Sequence, residues 1–306
     1  AAGLGLGLAI ALGRELADSA FRSPAQVERL LNVPCLGVLP KLSRTRAHFR
    51  RLRRGGGPGV RMLPNDLGVF QYAVKEPLSR FSETLRAVKL AADFTPSDRG
   101  VRVIGVVSSV PGEGKSTITM NIAQLFAAAG KSVLVIDADL RSPTLTRDVA
   151  PDSEAGLLEH LTSGASIAET IYADEAKPLR FLPASGKTRV PHTSDLIGSQ
   201  RMAELIEAAR QTYDYVILDL PPLAPVIDAK AVAPVVDGFV YVIEWGKTSV
   251  ATVSEALHNA PIVHQKLIGS ILNKADMNAL RLYTKIDGKS DYYAYEKFGN
   301  YISSGA

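Results

Sequence analysis

The sequence has one cysteine, Cys35, among 306 residues. A single thiol cannot close an internal disulfide, which excludes a disulfide-built secreted scaffold and fits a reducing compartment. The opening run, residues 1–12 (AAGLGLGLAIAL), is uncharged but too short to cross a membrane alone, since a spanning helix takes ~20 apolar residues. With no initial Met and no basic n-region, it is not expected to be a secretory leader. No strand precedes its GLGLG, so it is no dinucleotide fingerprint. Internal repeats are absent. With 46% hydrophobic and 22% charged residues, the composition is globular rather than disordered.

The residues present divide the chain. Residues 1–13 are expected to be the cytoplasmic end of a transmembrane helix, with the Gly3/Gly7 spacing suited to close helix packing in lipid. Residues 14–75 read as a basic juxtamembrane linker. Arg44, Arg46, Arg50, Arg51, Arg53, Arg54 and Arg61 surround a GGGPG stretch, and Gly and Pro at that density argue against a packed element. Arginines just inside a membrane follow the positive-inside tendency and suit anionic headgroups. Only one aromatic, Phe49, is interleaved with them, so no nucleic-acid partner is expected. Residues 76–276 carry the regular pattern. Strand-like runs at 101–109, 132–139, 215–220, 238–245 and 266–273 alternate with helical ones at 77–93, 116–130, 199–211 and 249–260. Continuous apolar strands alternating with helices predict an α/β fold, a mostly parallel sheet with helices on both faces.

The strongest motif is SVPGEGKS, residues 109–116, between a strand and a helix. Backbone N–H groups and a helix N-terminus there converge on an anion. Gly112 and Gly114 allow the backbone to wrap a phosphate, Lys115 reaches the β- and γ-phosphates, and the Ser116 hydroxyl ligates Mg²⁺, with Thr117 in support. Ser109 stands where the general pattern has its first glycine. VLVIDADLR puts Asp137 and Asp139 at one strand's end, and VILDLPP puts Asp219 at another's, where carboxylates can hold Mg²⁺.

Together, SVPGEGKST, VLVIDADLR and VILDLPP resemble the Walker A, Walker A′ and Walker B motifs of bacterial tyrosine kinases (BY-kinases), the cytoplasmic domains of polysaccharide co-polymerases that control exopolysaccharide chain length. The similarity also takes in SPAQVERLLNVPCLGVLP (23–40) and a tyrosine-rich tail. The resemblance implies a P-loop NTPase-type fold using ATP and Mg²⁺. Gly112, Glu113, Gly114, Lys115, Ser116 and Thr117 would bind ATP, with Asn273 against adenine. Ser116, Asp137 and Asp219 would hold the metal. Asp139 would activate the acceptor tyrosine, with Lys115, Asp137 and Arg141 completing the catalytic set.

Five of the ten tyrosines (Tyr283, Tyr292, Tyr293, Tyr295 and Tyr301) lie in the last 24 residues. The polar, Gly- and Ser-bearing surroundings suit a mobile substrate segment, and the resemblance implies that residues 277–306 are a flexible autophosphorylation tail. Each phosphate would add about −1.5 to −2 charge, and that repulsion is expected to disassemble an oligomer. Glu83, Arg86 and Lys89 recur every three residues on a predicted helix. They resemble the family's Glu-x-x-Arg-x-x-Arg subunit contact, with lysine in the last place, and imply a homo-oligomer, possibly a ring. Further partners implied are the inner membrane, the polysaccharide export and polymerisation machinery, and a cognate phosphatase.

Three other readings share parts of this pattern. A partition- or septum-type P-loop ATPase would carry an early lysine in the loop, where this chain has Val110 and Pro111. A GTPase is suggested by Asn-Lys-Ala-Asp at 273–276. A non-catalytic, nucleotide-gated scaffold would not need Lys115, Asp137, Asp139 and Asp219 intact.

Overall fold

The computed structural model describes residues 19–42, 61–95, 102–185 and 190–280. The five tail tyrosines, the opening apolar run and the arginines from Arg44 to Arg54 lie outside them. Among the described residues, no helix is long and apolar enough to cross a membrane.

The strands are β1 (Cys35–Pro40), β2 (Arg61–Met62), β3 (Val103–Ser108), β4 (Val133–Asp137), β5 (Tyr172–Ala173), β6 (Leu179–Leu182), β7 (Tyr215–Asp219), β8 (Gly238–Glu244) and β9 (Leu267–Ala275). They form one sheet in the order β1-β9-β8-β3-β7-β4-β6-β5-β2. Every neighbouring pair is parallel except β5 and β6.

Alternation along each strand builds two cores. Val103 and Val107 of β3 face one way, with Leu134, Ile136, Val216, Leu218 and Phe239, and the helices Gln200–Thr212 and Val250–His258 cover them. Ile104 and Val106 face the other way, with Val133, Val135 and Ile217, under the helices Arg80–Phe94 and Lys115–Ala128. Burial on both faces explains why β3, β4 and β7 read as unbroken apolar runs.

The boundary drawn at residue 76 is too late. Ser23 begins a helix, Pro24–Leu31, with a full capping box to Gln26. Residues 35–40 then pair along β9 as an edge strand instead of lying in a linker. Phe21 is fully buried, and its backbone bonds to Thr248 and Gly246. Residues 61–75 are also packed. The Asn121 side chain, on the phosphate-loop helix, accepts from Ala73 N (2.8 Å) and donates to Val69 O (2.7 Å). The linker reading fails here because apolar residues at short spacing (Phe21, Val27, Leu31, Leu39) pack despite flanking Gly and Pro.

The site lies past the carboxyl ends of β3, β4 and β7, the crevice where open parallel sheets bind ligands.

Candidate active site

The loop after β3 turns on two glycines. Gly112 has φ +85° and Gly114 φ +99°, and the next residue, Lys115, opens the helix Lys115–Ala128. Neither backbone suits an L side chain. A Cβ on Gly112 would meet nothing within 4 Å, so open space faces the loop there. A Cβ on Gly114 would lie 2.2 Å from Asn273 Nδ2. Ser109, in place of the first glycine, is buried, and its hydroxyl bonds to the Tyr241 hydroxyl at 2.8 Å. The substitution is thus absorbed behind the loop.

Glu113 enters the site differently from the expectation. Its side chain is fully buried and does not line the groove. The carboxylate accepts from Val110 N (2.8 Å), Glu244 N (2.9 Å) and Thr248 Oγ1 (2.5 Å), bracing the loop from below. Asn273 also serves the loop, since its Nδ2 donates to the Glu113 carbonyl at 2.8 Å. Asp276 caps the turn that follows, accepting from Asn278 N and Ala279 N. Asn273 and Lys274 line the groove but Asp276 does not, so the acid of Asn-Lys-Ala-Asp is not presented there as a guanine reader needs. Lys274, with φ +59°, donates to the Gly112 carbonyl and lies 3.5 Å from the Glu244 carboxylate.

A groove of about 930 Å³ opens over the loop. Gly112, Gly114, Lys115, Ser116 and Thr117 line its floor, and Asp139 and Arg141 line one wall. Lys115 is almost wholly buried, so its charge is poorly screened by water.

The three aspartates do not act alike. Asp137 ends β4 and is fully buried. Its Oδ2 accepts from Thr146 N (2.8 Å) and Thr146 Oγ1 (2.7 Å), and its Oδ1 from Asp139 N (3.2 Å). Asp137 does not line the groove, contrary to the shared-face expectation, because β4 stops there and Asp139 belongs to the following turn. Burial pushes the Asp137 carboxyl well up, and the neighbouring Asp219 adds to it. Asp219 ends β7 and accepts from Thr119 Oγ1 (3.2 Å) and the Ser116 hydroxyl. Burial raises its pKa to about 6 against the lowering pull of Lys115. Asp139 alone faces the groove; burial raises it too, while the Ser142 N–H and Lys115 pull it down. A raised carboxyl beside a groove is a fitting proton acceptor.

Among the described residues, no three His, Cys, Asp or Glu side chains form a ready-made metal cluster. The donors at hand, the Ser116 hydroxyl bonded to Asp219, suit a hard cation that keeps waters and phosphate oxygens as ligands.

Two contacts went unforeseen. Arg141 forms a fork with Asp228, 87 residues further on. Glu244, the last residue of β8, and Thr248, just after it, hold Glu113. No local sequence pattern announces either, because each pairing is made by the sheet. Glu83, Arg86 and Lys89 share the helix Arg80–Phe94 but do not line the groove. Arg86 pairs with Glu83 and with the Pro77 carbonyl (2.8 Å), and Lys89 pairs with Asp93.

A parallel sheet with a glycine loop feeding a lysine-headed helix, flanked by strand-end aspartates, defines a P-loop nucleotide-binding protein. The AAA domain family model matches residues 101–273. The succinoglycan biosynthesis transport protein ExoP of Rhizobium meliloti is 39% identical over 98% of this chain, which spans 39% of that protein's length. The tyrosine-protein kinase YwqD of Bacillus subtilis is 38% identical over 66% of this chain and 84% of its own. The crystal structure of the chimerical protein CapA2B2 superposes with a TM-score of 0.68 at 28% identity, over 83% of this chain and 99% of that one. The chain belongs to the bacterial tyrosine-protein kinase family, within the AAA domain family.

Proposed function

We propose that this chain is an ATP- and Mg²⁺-dependent autokinase that phosphorylates its own C-terminal tyrosines, in trans within a homo-oligomer. Its work is the control of exopolysaccharide or capsule synthesis and export. One observation carries this reading. The groove joins an anion-binding loop, a buried lysine and a carboxyl raised by burial, the set a phosphoryl transfer to a phenol requires.

The residues fit Mg²⁺–ATP. The loop amides and Lys115 suit the phosphates, while Ser116, with Asp219 behind it, suits the cation. When bound, Mg²⁺–ATP supplies the transferable γ-phosphoryl group. A phenol with a pKa near ~10 is protonated at neutral pH, so Asp139 is the group to take up its proton. Lys115 offsets negative charge that develops on the phosphoryl oxygens. Asp137 holds the turn that carries Asp139, through Thr146 and the Asp139 amide.

The acceptors in this reading are Tyr283, Tyr292, Tyr293, Tyr295 and Tyr301, which lie outside the described residues. The same holds for the proposed anchor, in which residues 1–13 enter the inner membrane and this domain stays on the cytoplasmic side. The names of the Rhizobium and Bacillus relatives support the link to polysaccharide transport and the kinase activity respectively. Partners in this reading are a second copy, met through Glu83, Arg86 and Lys89, the export machinery, and a phosphatase that resets the tail.

The test is incubation of the purified chain with ATP and Mg²⁺, then mass-spectrometric mapping of phosphotyrosine. Phosphate on the tail, lost in Lys115→Met and in a variant with all five tail tyrosines changed to phenylalanine, is the expected result. A wild-type chain that binds nucleotide yet gains no phosphotyrosine refutes the reading.

A further inference from the structure

Arg141 reaches the groove from the turn after β4, held by a carboxylate from a distant part of the chain. Asp228 begins the helix Asp228–Val232 and is fully buried. Its Oδ2 accepts from Arg141 Nε at 2.9 Å, and its Oδ1 from Nη2 at 3.1 Å. Thr193, also fully buried, donates its hydroxyl to the same Oδ2 at 2.7 Å. A buried carboxylate is costly unless paired, and these three donors offset that cost.

The fork occupies only one edge of the guanidinium. A guanidinium has five N–H groups in one rigid plane. Two of them face Asp228, and Nη1 has no hydrogen-bond partner among the described residues. The Arg141 side chain is 39% exposed, and it lines the groove beside Asp139 and Lys115. Asp228 therefore sets the orientation of the plane and leaves the edge that carries Nη1 facing away from it, on a side chain that lines the groove. Planar, two-point recognition of phosphate oxygens is what such an edge does best, and a lysine cannot reproduce it.

We propose that Asp228 is a positioning residue for phosphoryl transfer, acting through Arg141, whose open guanidinium edge meets the oxygens of the transferring phosphoryl group. Thr193 also bonds Asp228, through the Oδ2 that Arg141 Nε reaches. The inference rests on the kinase reading above. It adds a residue which touches neither nucleotide nor acceptor and which no motif marks. The Ser142 N–H bond to Asp139 Oδ1 (2.9 Å) holds the same turn, so Asp139 and Arg141 are presented together.

The experiment uses the full chain with Mg²⁺–ATP and compares wild type, Asp228→Asn, Arg141→Lys and the double variant. The readouts are the rate of phosphotyrosine formation against ATP concentration, ADP affinity by titration, and thermal melting. Asn keeps the shape of Asp228 but offers one acceptor oxygen and sets an N–H₂ against the guanidinium. Asp228→Asn is expected to lower kcat by ~10- to 100-fold, the range seen when a reacting group is misplaced by about 1 Å, with KM for ATP and the ADP affinity within ~3-fold of wild type. Arg141→Lys is expected to lose a similar factor, and the double variant no more than Arg141→Lys alone.

An Asp228→Asn chain that melts like wild type and keeps its kcat overturns the inference, as does a double variant whose loss is the product of the two single losses. Should Asp228→Asn fail to fold, Arg141→Lys decides the matter: an undiminished kcat there is equally fatal. If the wild-type chain forms no phosphotyrosine above Lys115→Met, the kinase reading itself falls and takes this inference with it.

Discussion

Asp137 and Asp219 are register partners across β4 and β7, two buried carboxyls at adjacent strand ends. Burial raises both, and the charge of Asp219 raises Asp137 further, while Lys115 and the Ser116 hydroxyl pull Asp219 down only in part.

This pair makes stability fall with rising pH. Asp219 is raised to about 6 in the folded chain, against ~3.9 for an unfolded aspartate. Between those values the folded protein binds more protons than the unfolded chain, so stability is full below the lower value and is lost as pH climbs through the upper one. Asp219→Asn cannot ionise and escapes this loss, which is on the order of 2–3 kcal/mol. Melting of both proteins at pH 5 and pH 8 is the check. Wild type should lose ground to the variant at the higher pH, and a gap independent of pH would sink the idea.

Gly114→Ala should weaken nucleotide binding by at least ~10-fold, because the left-handed backbone strains any side chain there. The new methyl would also collide with Asn273 Nδ2, 2.2 Å away. Titration with a fluorescent nucleotide measures the loss. Shortening Asn273 to alanine in the same chain should restore only part of it, since the backbone strain remains.

Glu113→Gln should destabilise the protein by ~1–3 kcal/mol, the cost of leaving buried donors without an acceptor. Three donors, from Val110, Glu244 and Thr248, converge on the native carboxylate, and an amide N–H₂ would face one of them. Nucleotide affinity should fall as well, because the loop loses its brace. Urea unfolding and nucleotide titration of one preparation test both parts, and native stability in the variant would show the brace to be idle.

Phe21→Ala should cost about 3–5 kcal/mol, as for other large core truncations. Phe21 lies far before the phosphate loop yet is fully buried in the sheet's core. A midpoint in urea that does not move would mean that residues 19–40 are not part of the cooperative unit.

The strands flanking the loop were legible because they are buried on both faces, so VRVIGVVSS and SVLVIDAD read as apolar runs. The loop was legible because its chemistry is local: two glycines, a lysine and a serine in contiguous order. β1 was not, because Gly37 and the prolines at both ends of CLGVLP imitate a linker. β5 and β6 are two and four residues long, too short for a period to show. At the site, Asp139 lines the groove and Asp137 does not. The difference lies in where β4 ends, with Asp137 its last residue, held by Thr146, and Asp139 in the turn beyond. The Arg141–Asp228 fork and the Glu113 brace join residues 87 and more than 100 positions apart, and only the folded sheet brings them together.

The pairing of β1 with β9 also constrains how the molecule is born. Cys35 lies opposite Ser270, so an early-translated strand must wait for the last one before it has a partner. Contacts of such sequence separation are slow to close. During synthesis the nascent chain carries an unmatched strand until nearly all of the domain has left the ribosome, a window in which chaperone shielding counts most.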